Sequence, residues 1–179
     1  MSESDDFSRS LLEESKRFLE KAHIDDLEAR KAYLHAALVL AFCSFEALVS
    51  CVADDFLTSS DLSVMDVSIL SEREVRLENG EFLVSKGLKM YRLEDRYEFL
   101  IRRFSKISLD KSLPWWGILK VSLELRNRLV HPKSAVPVTS EAVESAIESI
   151  LDATDYLYRA VYQRPFPPKG RSLDSTLLF

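Results

Sequence analysis

Residues 33–53 read YLHAALVLAFCSFEALVSCVA, and this apolar stretch decides the fold. Large hydrophobic side chains in and just after it recur at the three- and four-residue spacing that places them on one face of a helix. They are Leu38, Phe42, Phe45, Val49, Val52 and Phe56, with Val39 and Leu48 widening the stripe. The spacing predicts a helix over 26–57 at the centre of a helical core.

The same stretch is about long enough to cross a lipid bilayer, which needs roughly 20 apolar residues. Glu46 would then lie near the bilayer centre at a cost of a few kcal/mol, and no second apolar segment or aromatic belt accompanies it. We therefore expect a buried core helix and no contact with a membrane.

Helical periodicity extends over most of the remaining chain, and one strand signal interrupts it. Further helices are predicted over 5–22, 63–71, 92–105, 115–130 and 141–163, the last capped by Thr139 or Ser140. Asn79-Gly80 suits a two-residue hairpin turn between strands at 73–78 and 81–85. The expected fold is all-α: an antiparallel bundle of about five helices with a small β-hairpin insertion, forming one domain over 1–163.

Some smaller features have predictions of their own. The Pro-rich tail over 164–179 has a composition typical of disorder, unless its apolar end at 177–179 packs on the body. Trp115-Trp116 indicates core or dimer packing, and Met65 and Met90 look like core residues.

Composition limits the classes of function. At 179 residues the chain suits one domain, and a net charge of −5 with a pI near 5.3 argues against coating nucleic acid with bulk positive charge. A local basic patch remains possible, with ordinary solvated side chains as the alternative. Its members would be Arg102, Arg103, Lys106, Lys120, Arg126, Arg128 and Lys133.

The cysteines and the N-terminal residues favour a cytoplasmic protein. Cys43 and Cys51 lie eight positions apart on one predicted helix, and about 12 Å of helical rise keeps them from forming a disulfide with each other. Residues 1–6, MSESDD, lack the basic and apolar regions of a secretory signal.

Common catalytic and cofactor motifs are missing from the sequence. It has no Gly-rich phosphate loop, no Cys-x-x-Cys pair, no His-Glu-x-x-His and no Gly-x-Ser-x-Gly. Its three histidines are scattered, so neither a metal site nor a cofactor is expected.

Residues 126–132, RNRLVHP, are the segment most suited to chemistry. Pro132 biases His131 away from the helical conformation, so the helix should end near Val130 and leave the imidazole in a loop. Arg126 falls at the edge of the buried stripe that Leu119 and Leu123 begin, so its side chain should be held in place.

This segment resembles the signature of the HEPN superfamily (higher eukaryotes and prokaryotes nucleotide-binding), an Arg that a polar residue commonly follows, with a His four to six positions further on. The spacing alone is unspecific here, because Arg17 with His23 and Arg30 with His35 also satisfy it. Only the third pair has a polar residue after the Arg and lies at a predicted helix end. Residues 41–48, AFCSFEAL, are similar to the family's early core helix, and the helix order also fits, most closely for the defence-associated branch.

The resemblance implies a metal-independent endoribonuclease that works as a homodimer, with both motif helices facing one composite cleft. His131 could accept or donate a proton near neutral pH, and Arg126 could bind non-bridging phosphate oxygens. Asn127 could orient the imidazole or the phosphate, and Glu46 could hold Arg126. The supporting residues would be Glu46, Arg128 and Lys133.

Other functions stay open. An Arg near a helix C-terminus commonly binds the last carbonyl groups, and a His before Pro is often an ordinary loop residue. The first hypothesis is an RNase of toxin or phage-defence type, with RNA as substrate and an antitoxin or defence protein as partner. The second is a non-catalytic HEPN module for dimerisation or nucleotide sensing, and the third is a helical adaptor that docks partners through its tail.

Overall fold

The computed structural model describes residues 3–24 and 26–179, and this part of the chain is mostly helical. Six α-helices and one two-stranded antiparallel sheet follow the predicted order. In chain order they are α1 (Glu3–Ile24), α2 (Leu27–Phe56), α3 (Val64–Ser71), β1 (Arg73–Glu78), β2 (Glu81–Leu88), α4 (Leu93–Ser105), α5 (Pro114–Val130) and α6 (Ser140–Tyr162), with a short 3-10 helix at Pro167–Arg171.

Helix α2 is the centre of the core, as its apolar stripe predicts. Six members of the stripe are buried, while Val39 and Phe56 at its margins are half-buried. Asp26 caps the helix, since its carboxylate accepts hydrogen bonds from the amides of Glu28 and Ala29 at 3.1 and 2.9 Å. Helix α1 packs along α2, and α4, α5 and α6 cover its other sides.

The segment Glu28–Phe56 is long and apolar enough to cross a bilayer, and no other helix in residues 3–24 and 26–179 is. In its most apolar window 61% of the residues are buried inside the bundle. A core helix of a soluble protein shows the same combination of length, hydropathy and burial.

The hairpin forms at the predicted turn. Asn79 and Gly80 have φ angles of 52° and 87°, which two-residue turns of this kind require. Leu77 lies opposite Phe82 near the tip, and both side chains are mostly exposed. Strand β2 continues three residues beyond the predicted end at 85, because a register irregularity between Arg73 and Val75 lets pairing resume with Leu88.

The C-terminal tail packs against the helical bundle. Of the two predictions for the tail, disorder and packing on the body, the second is therefore the one that the structure has. Phe166 is buried, and its amide donates to the Asp155 carboxylate at 2.9 Å. Further along, Arg171 donates to Glu13 at 2.7 Å, and the Phe179 ring contacts that of Phe18. Composition alone does not reveal these partners, because they lie on α1 and α6.

Both methionine predictions are wrong. Met65 is 50% exposed and Met90 is 79% exposed, so neither belongs to the core. Met65 lies on the solvent side of the first turn of α3, and Met90 lies in the loop between β2 and α4. The tryptophan pair belongs to the core: Trp116 is buried, and Trp115 packs against Tyr97 and Tyr156.

Candidate functional site

The end of α5 has the predicted form. The last helical residue is Val130, and His131 has left the helix with φ −122° and ψ 63°. Its amide still donates to the Asn127 carbonyl at 2.9 Å, which anchors the backbone while the imidazole is exposed. Pro132 prevents the helix from continuing, so the local sequence accounts for the exposure of this ring.

Arg126 is held by a neighbour from the central helix. Its Nη2 donates to the Glu46 carboxylate in an ion pair, and its guanidinium lies 5.4 Å from the centre of the Phe42 ring. The Arg126 side chain is 18% exposed and that of Glu46 is 46% exposed, so the pair lies at the edge of the core. Arg126 Nε is buried without a hydrogen-bond partner in the described residues.

The other predicted site residues surround this pair at the surface. The side chains of Asn127, Arg128, His131 and Lys133 are exposed, and none has a hydrogen bond or ion pair within residues 3–24 and 26–179. Arg126 lies in the last turns of α5 and His131 lies just beyond its end, and no hydrogen bond joins the guanidinium and the imidazole in the described residues.

A groove of about 550 Å³ runs along α2 beside the ion pair. Its wall on α2 includes Cys43, Glu46 and Ser50, and the opposite wall includes Phe7 and Tyr91. Glu46 thus stands between this groove and Arg126. Desolvation by burial and the nearby Glu46 carboxylate raise the pKa of the Cys43 thiol, and Arg126 lowers it by less. The thiol therefore stays protonated at neutral pH.

Arg96 is a buried charge in the groove wall that the sequence reasoning missed. It forms an ion pair with Glu72 at 2.9 Å and donates to the Leu70 carbonyl at 3.0 Å, while burial lowers the pKa of its guanidinium. These partners join α4 to the end of α3. The sequence feature that could have indicated its burial is its position on the apolar side of an amphipathic helix, next to the buried residues Tyr97, Leu100 and Ile101.

The two other Arg and His pairs have structural partners. Arg17 donates to Glu20 at 2.7 Å, and Arg30 donates through Nε to the Ala22 carbonyl at 2.9 Å. His23 lies 3.2 Å from Glu144, whereas His35 is partly buried and its pKa is lowered by desolvation and by Lys31. His35 is therefore neutral at pH 7.

One member of the predicted basic patch is engaged in ion pairs. Arg103 donates to Asp61 and Asp66 at 3.0 and 3.3 Å, so its charge is neutralised locally. Arg102 lines a crevice with Lys111, and Lys120 lies over the Trp116 ring. Positive charge at the end of α5 comes instead from Arg128 and Lys133.

In the described residues no three His, Cys, Asp or Glu side chains lie close enough together to hold a metal ion. Comparison of the chain with family models, curated proteins and solved structures finds no match. The resemblance to HEPN proteins therefore depends on the RNRLVHP segment, the AFCSFEAL segment and the order of the helices.

Proposed function

We propose that this chain is an endoribonuclease that cuts RNA through the 2'-hydroxyl without a metal, at a site completed by a second copy of the chain. The observation that carries the proposal is the end of α5, where Arg126 is held by Glu46 and an exposed His131 follows immediately after the helix. A held guanidinium and an exposed imidazole at one end of a helix are groups that could supply the positive charge and the proton transfer of phosphoryl transfer.

The reaction needs one proton acceptor, one proton donor and positive charge. The 2'-oxygen bonds to phosphorus and gives its proton to an imidazole, while the bond from phosphorus to the 5'-oxygen breaks and that oxygen receives a proton. The products are a 2',3'-cyclic phosphate and a 5'-hydroxyl. Arg126 would stabilise the charge on the non-bridging oxygens, and Asn127 would orient the ring or the phosphate.

A second copy supplies what one copy lacks, because each has a single imidazole at this site. Helix α5 carries an exposed apolar face suited to such pairing: Val121 is 68% exposed, Ile118 is 43% exposed, and Leu125 continues the row. These residues line a shallow groove of about 400 Å³ with Ala142 of α6. Exposed apolar patches of this kind mark interaction sites, and a two-fold axis would bring both α5 helices together.

The biological setting that we propose is a cytoplasmic toxin or phage-defence nuclease that a partner protein, such as an antitoxin, keeps inactive. The support for this setting consists of the family resemblance, the acidic net charge of −5 and the small size of 20.5 kDa.

One observation favours the alternative of a non-catalytic HEPN module. Arg126 already has a carboxylate partner and an aromatic ring beneath it, and these contacts explain a purely structural arginine. The adaptor hypothesis has less support, since the tail is engaged by Glu13 and Asp155 of its own chain.

The experiment compares RNA cleavage by the full-length protein with cleavage by His131→Ala, Arg126→Ala and Asn127→Ala, all in EDTA. His23→Ala is the matched control, because that histidine is exposed and far from α5 in sequence. We expect cyclic phosphate ends by mass spectrometry for wild type and control, at least a hundredfold loss in the first two variants and a smaller loss in the third. Equal cleavage by wild type and His131→Ala, or none by wild type, contradicts the proposal.

Dimerisation is tested separately with Val121→Glu, which places a charge on the apolar face. Light scattering should show a dimer for wild type and a monomer for the variant, and the monomer should not cleave RNA. A fully active monomer would contradict the composite site.

A further inference from the structure

A second cleft lies beside the loop that carries His131. Its volume is about 430 Å³, and it is lined by Arg30, Lys31 and Leu34 of α2 and by residues 135–138 of the loop before α6. We call it the loop cleft. Its two charged lining residues are both basic, although the protein as a whole carries a net charge of −5.

Arg30 is oriented for an anionic ligand. Its Nε donates to the Ala22 carbonyl at 2.9 Å, which fixes the plane of the guanidinium. Its two Nη groups have no hydrogen-bond or ion-pair partner within residues 3–24 and 26–179. A fixed guanidinium with free donors binds two oxygens of one phosphate, and the exposed Lys31 adds a second positive charge at the next position.

Nearby carboxylates form no ion pair with these two cations in the described residues. The Asp26 carboxylate accepts the amides at the start of α2, and Glu144 of α6 pairs with His23. Glu28 and Glu141 are exposed, and neither lines the cleft. The charged groups that line the loop cleft are therefore both cations.

The apolar side of the cleft suits the other part of a nucleotide. Leu34 is buried at its floor, and Val136, Pro137 and Val138 form a wall without charged groups. Such a surface can pack against the apolar part of a ribose or a base while the cations hold the phosphate.

The position of the cleft relates it to the proposed site. Ala135 is four positions after His131, so an extended chain spans at most roughly 14 Å between them. One RNA strand is long enough to lie over the end of α5 and across the loop cleft.

We propose that the loop cleft binds a backbone phosphate of the substrate RNA, next to the nucleotide cut at His131, through Arg30 and Lys31. This inference rests on the proposed function, because that function is what makes RNA the expected ligand. It adds a binding subsite that the Arg126 and His131 motif does not include.

The test measures binding of a fluorescein-labelled, single-stranded 2'-O-methyl RNA by anisotropy over a series of KCl concentrations. The methyl groups block the attacking oxygen, so binding is measured without cleavage. Full-length wild type is compared with the double variant Arg30→Gln, Lys31→Gln. The control is Lys89→Gln, Arg92→Gln, which changes the net charge equally at exposed positions that do not line the loop cleft.

We expect the double variant to bind roughly tenfold more weakly, with a dependence on salt that is shallower by about 0.7 for each phosphate that it no longer neutralises. The control should bind like wild type, and far-UV circular dichroism should be unchanged in both. Equal binding by wild type and the Arg30, Lys31 variant overturns the loop cleft as an RNA subsite.

Cleavage assays with unmodified RNA show whether the loop-cleft proposal or the nuclease proposal has failed. If wild type cleaves RNA and the double variant binds normally, the loop cleft is wrong and the nuclease stands. If wild type binds RNA through Arg30 and Lys31 but never cleaves it, the loop cleft stands and the nuclease is wrong. If wild type does not bind the RNA at all, the loop cleft is wrong.

Discussion

Glu46 is the residue that connects the motif helix to the centre of the molecule. Its carboxylate lies on the mostly buried helix α2, yet it is itself 46% exposed, so the ion pair with Arg126 contributes little to stability. Its main effect is on the position of Arg126. The Glu46 carboxylate binds one nitrogen of the guanidinium, and the Phe42 ring lies next to the guanidinium. On the proposed function, Glu46 is a positioning residue.

Glu46→Gln should therefore affect cleavage more than folding. We expect the free energy of unfolding to fall by less than about 1 kcal/mol, because exposed and half-exposed ion pairs contribute about that much at most. The kcat for RNA cleavage should fall while KM changes little, since the substrate still binds but Arg126 is no longer fixed. Urea denaturation and steady-state kinetics check both parts, and Glu74→Gln, which removes the exposed pair with Arg76, is the control.

Asp155 provides a prediction about pH. Burial opposes its ionisation, but hydrogen bonds from Arg159 at 2.7 Å and from the Phe166 amide at 2.9 Å, together with Lys169, lower the pKa of the carboxyl group. A carboxyl group with a pKa lower in the folded than in the unfolded state stabilises the protein above the unfolded value, about 3.9 for Asp. This stabilisation is lost as the pH falls through the folded value.

Asp155→Asn should therefore reduce the free energy of unfolding at pH 7 by about 1–3 kcal/mol, as expected for charged hydrogen bonds. The difference from wild type should shrink below about pH 4. Urea denaturation at both pH values measures it. A difference that stays the same at both would show that the charge of Asp155 does not stabilise the fold.

At the scale of elements, the hairpin is the part that depends least on the core. Leu77 and Phe82 near its tip are 63% and 64% exposed, and only the base of the sheet packs against α3. Gly80→Ala should strain the turn, since φ is 87° there. Hydrogen exchange should speed up across residues 73–88, with a shift in Tm of less than about 3 °C.

Gly170→Ala is the matched control for this change. Gly170 lies in the short 3-10 helix, its φ is not positive, and a Cβ atom there would meet nothing within 4 Å. Replacing glycine by alanine at a compatible conformation stabilises by roughly 0.4–1 kcal/mol, so this variant should not lower Tm. A large loss of global stability in Gly80→Ala would contradict the view that the hairpin is an appendage.

At the scale of the whole molecule, the C-terminal segment, residues 165–179, connects α1 to α6 through side-chain contacts with both helices. Lys16 is fully buried 3.6 Å from Glu13, and Glu13 also binds Arg171 and the Thr176 amide. Phe166 fills a position in the core on the other side. Removing the segment thus takes hydrogen-bond partners from Glu13 on α1 and from Asp155 on α6, both of which are buried.

Two truncations separate these contributions. Deletion of residues 165–179 should lower the free energy of unfolding by about 3–5 kcal/mol, the range for losing a buried Phe, because Asp155 and Glu13 also lose partners. Deletion of residues 177–179 should cost about 1 kcal/mol or less, since Leu178 is 94% exposed and Phe179 is half exposed. Thermal and urea denaturation measure both effects. An equal loss of stability in the two truncations would contradict the view that residues 165–176 hold α1 and α6 together.

The sequence by itself determined the elements of this protein, since each depends on neighbouring residues: apolar spacing placed the helices, Asn79-Gly80 the turn, and Pro132 the end of α5. The exposure of His131 follows from the same local effect. Tertiary structure alone decided which distant groups meet. Glu46 and Arg126 are 80 positions apart, and Glu13 and Arg171 are 158 apart, so no local pattern encodes either contact. Packing of the helices brings these charges together, and it also leaves the two Nη groups of Arg30 without a partner among the described residues at the loop cleft.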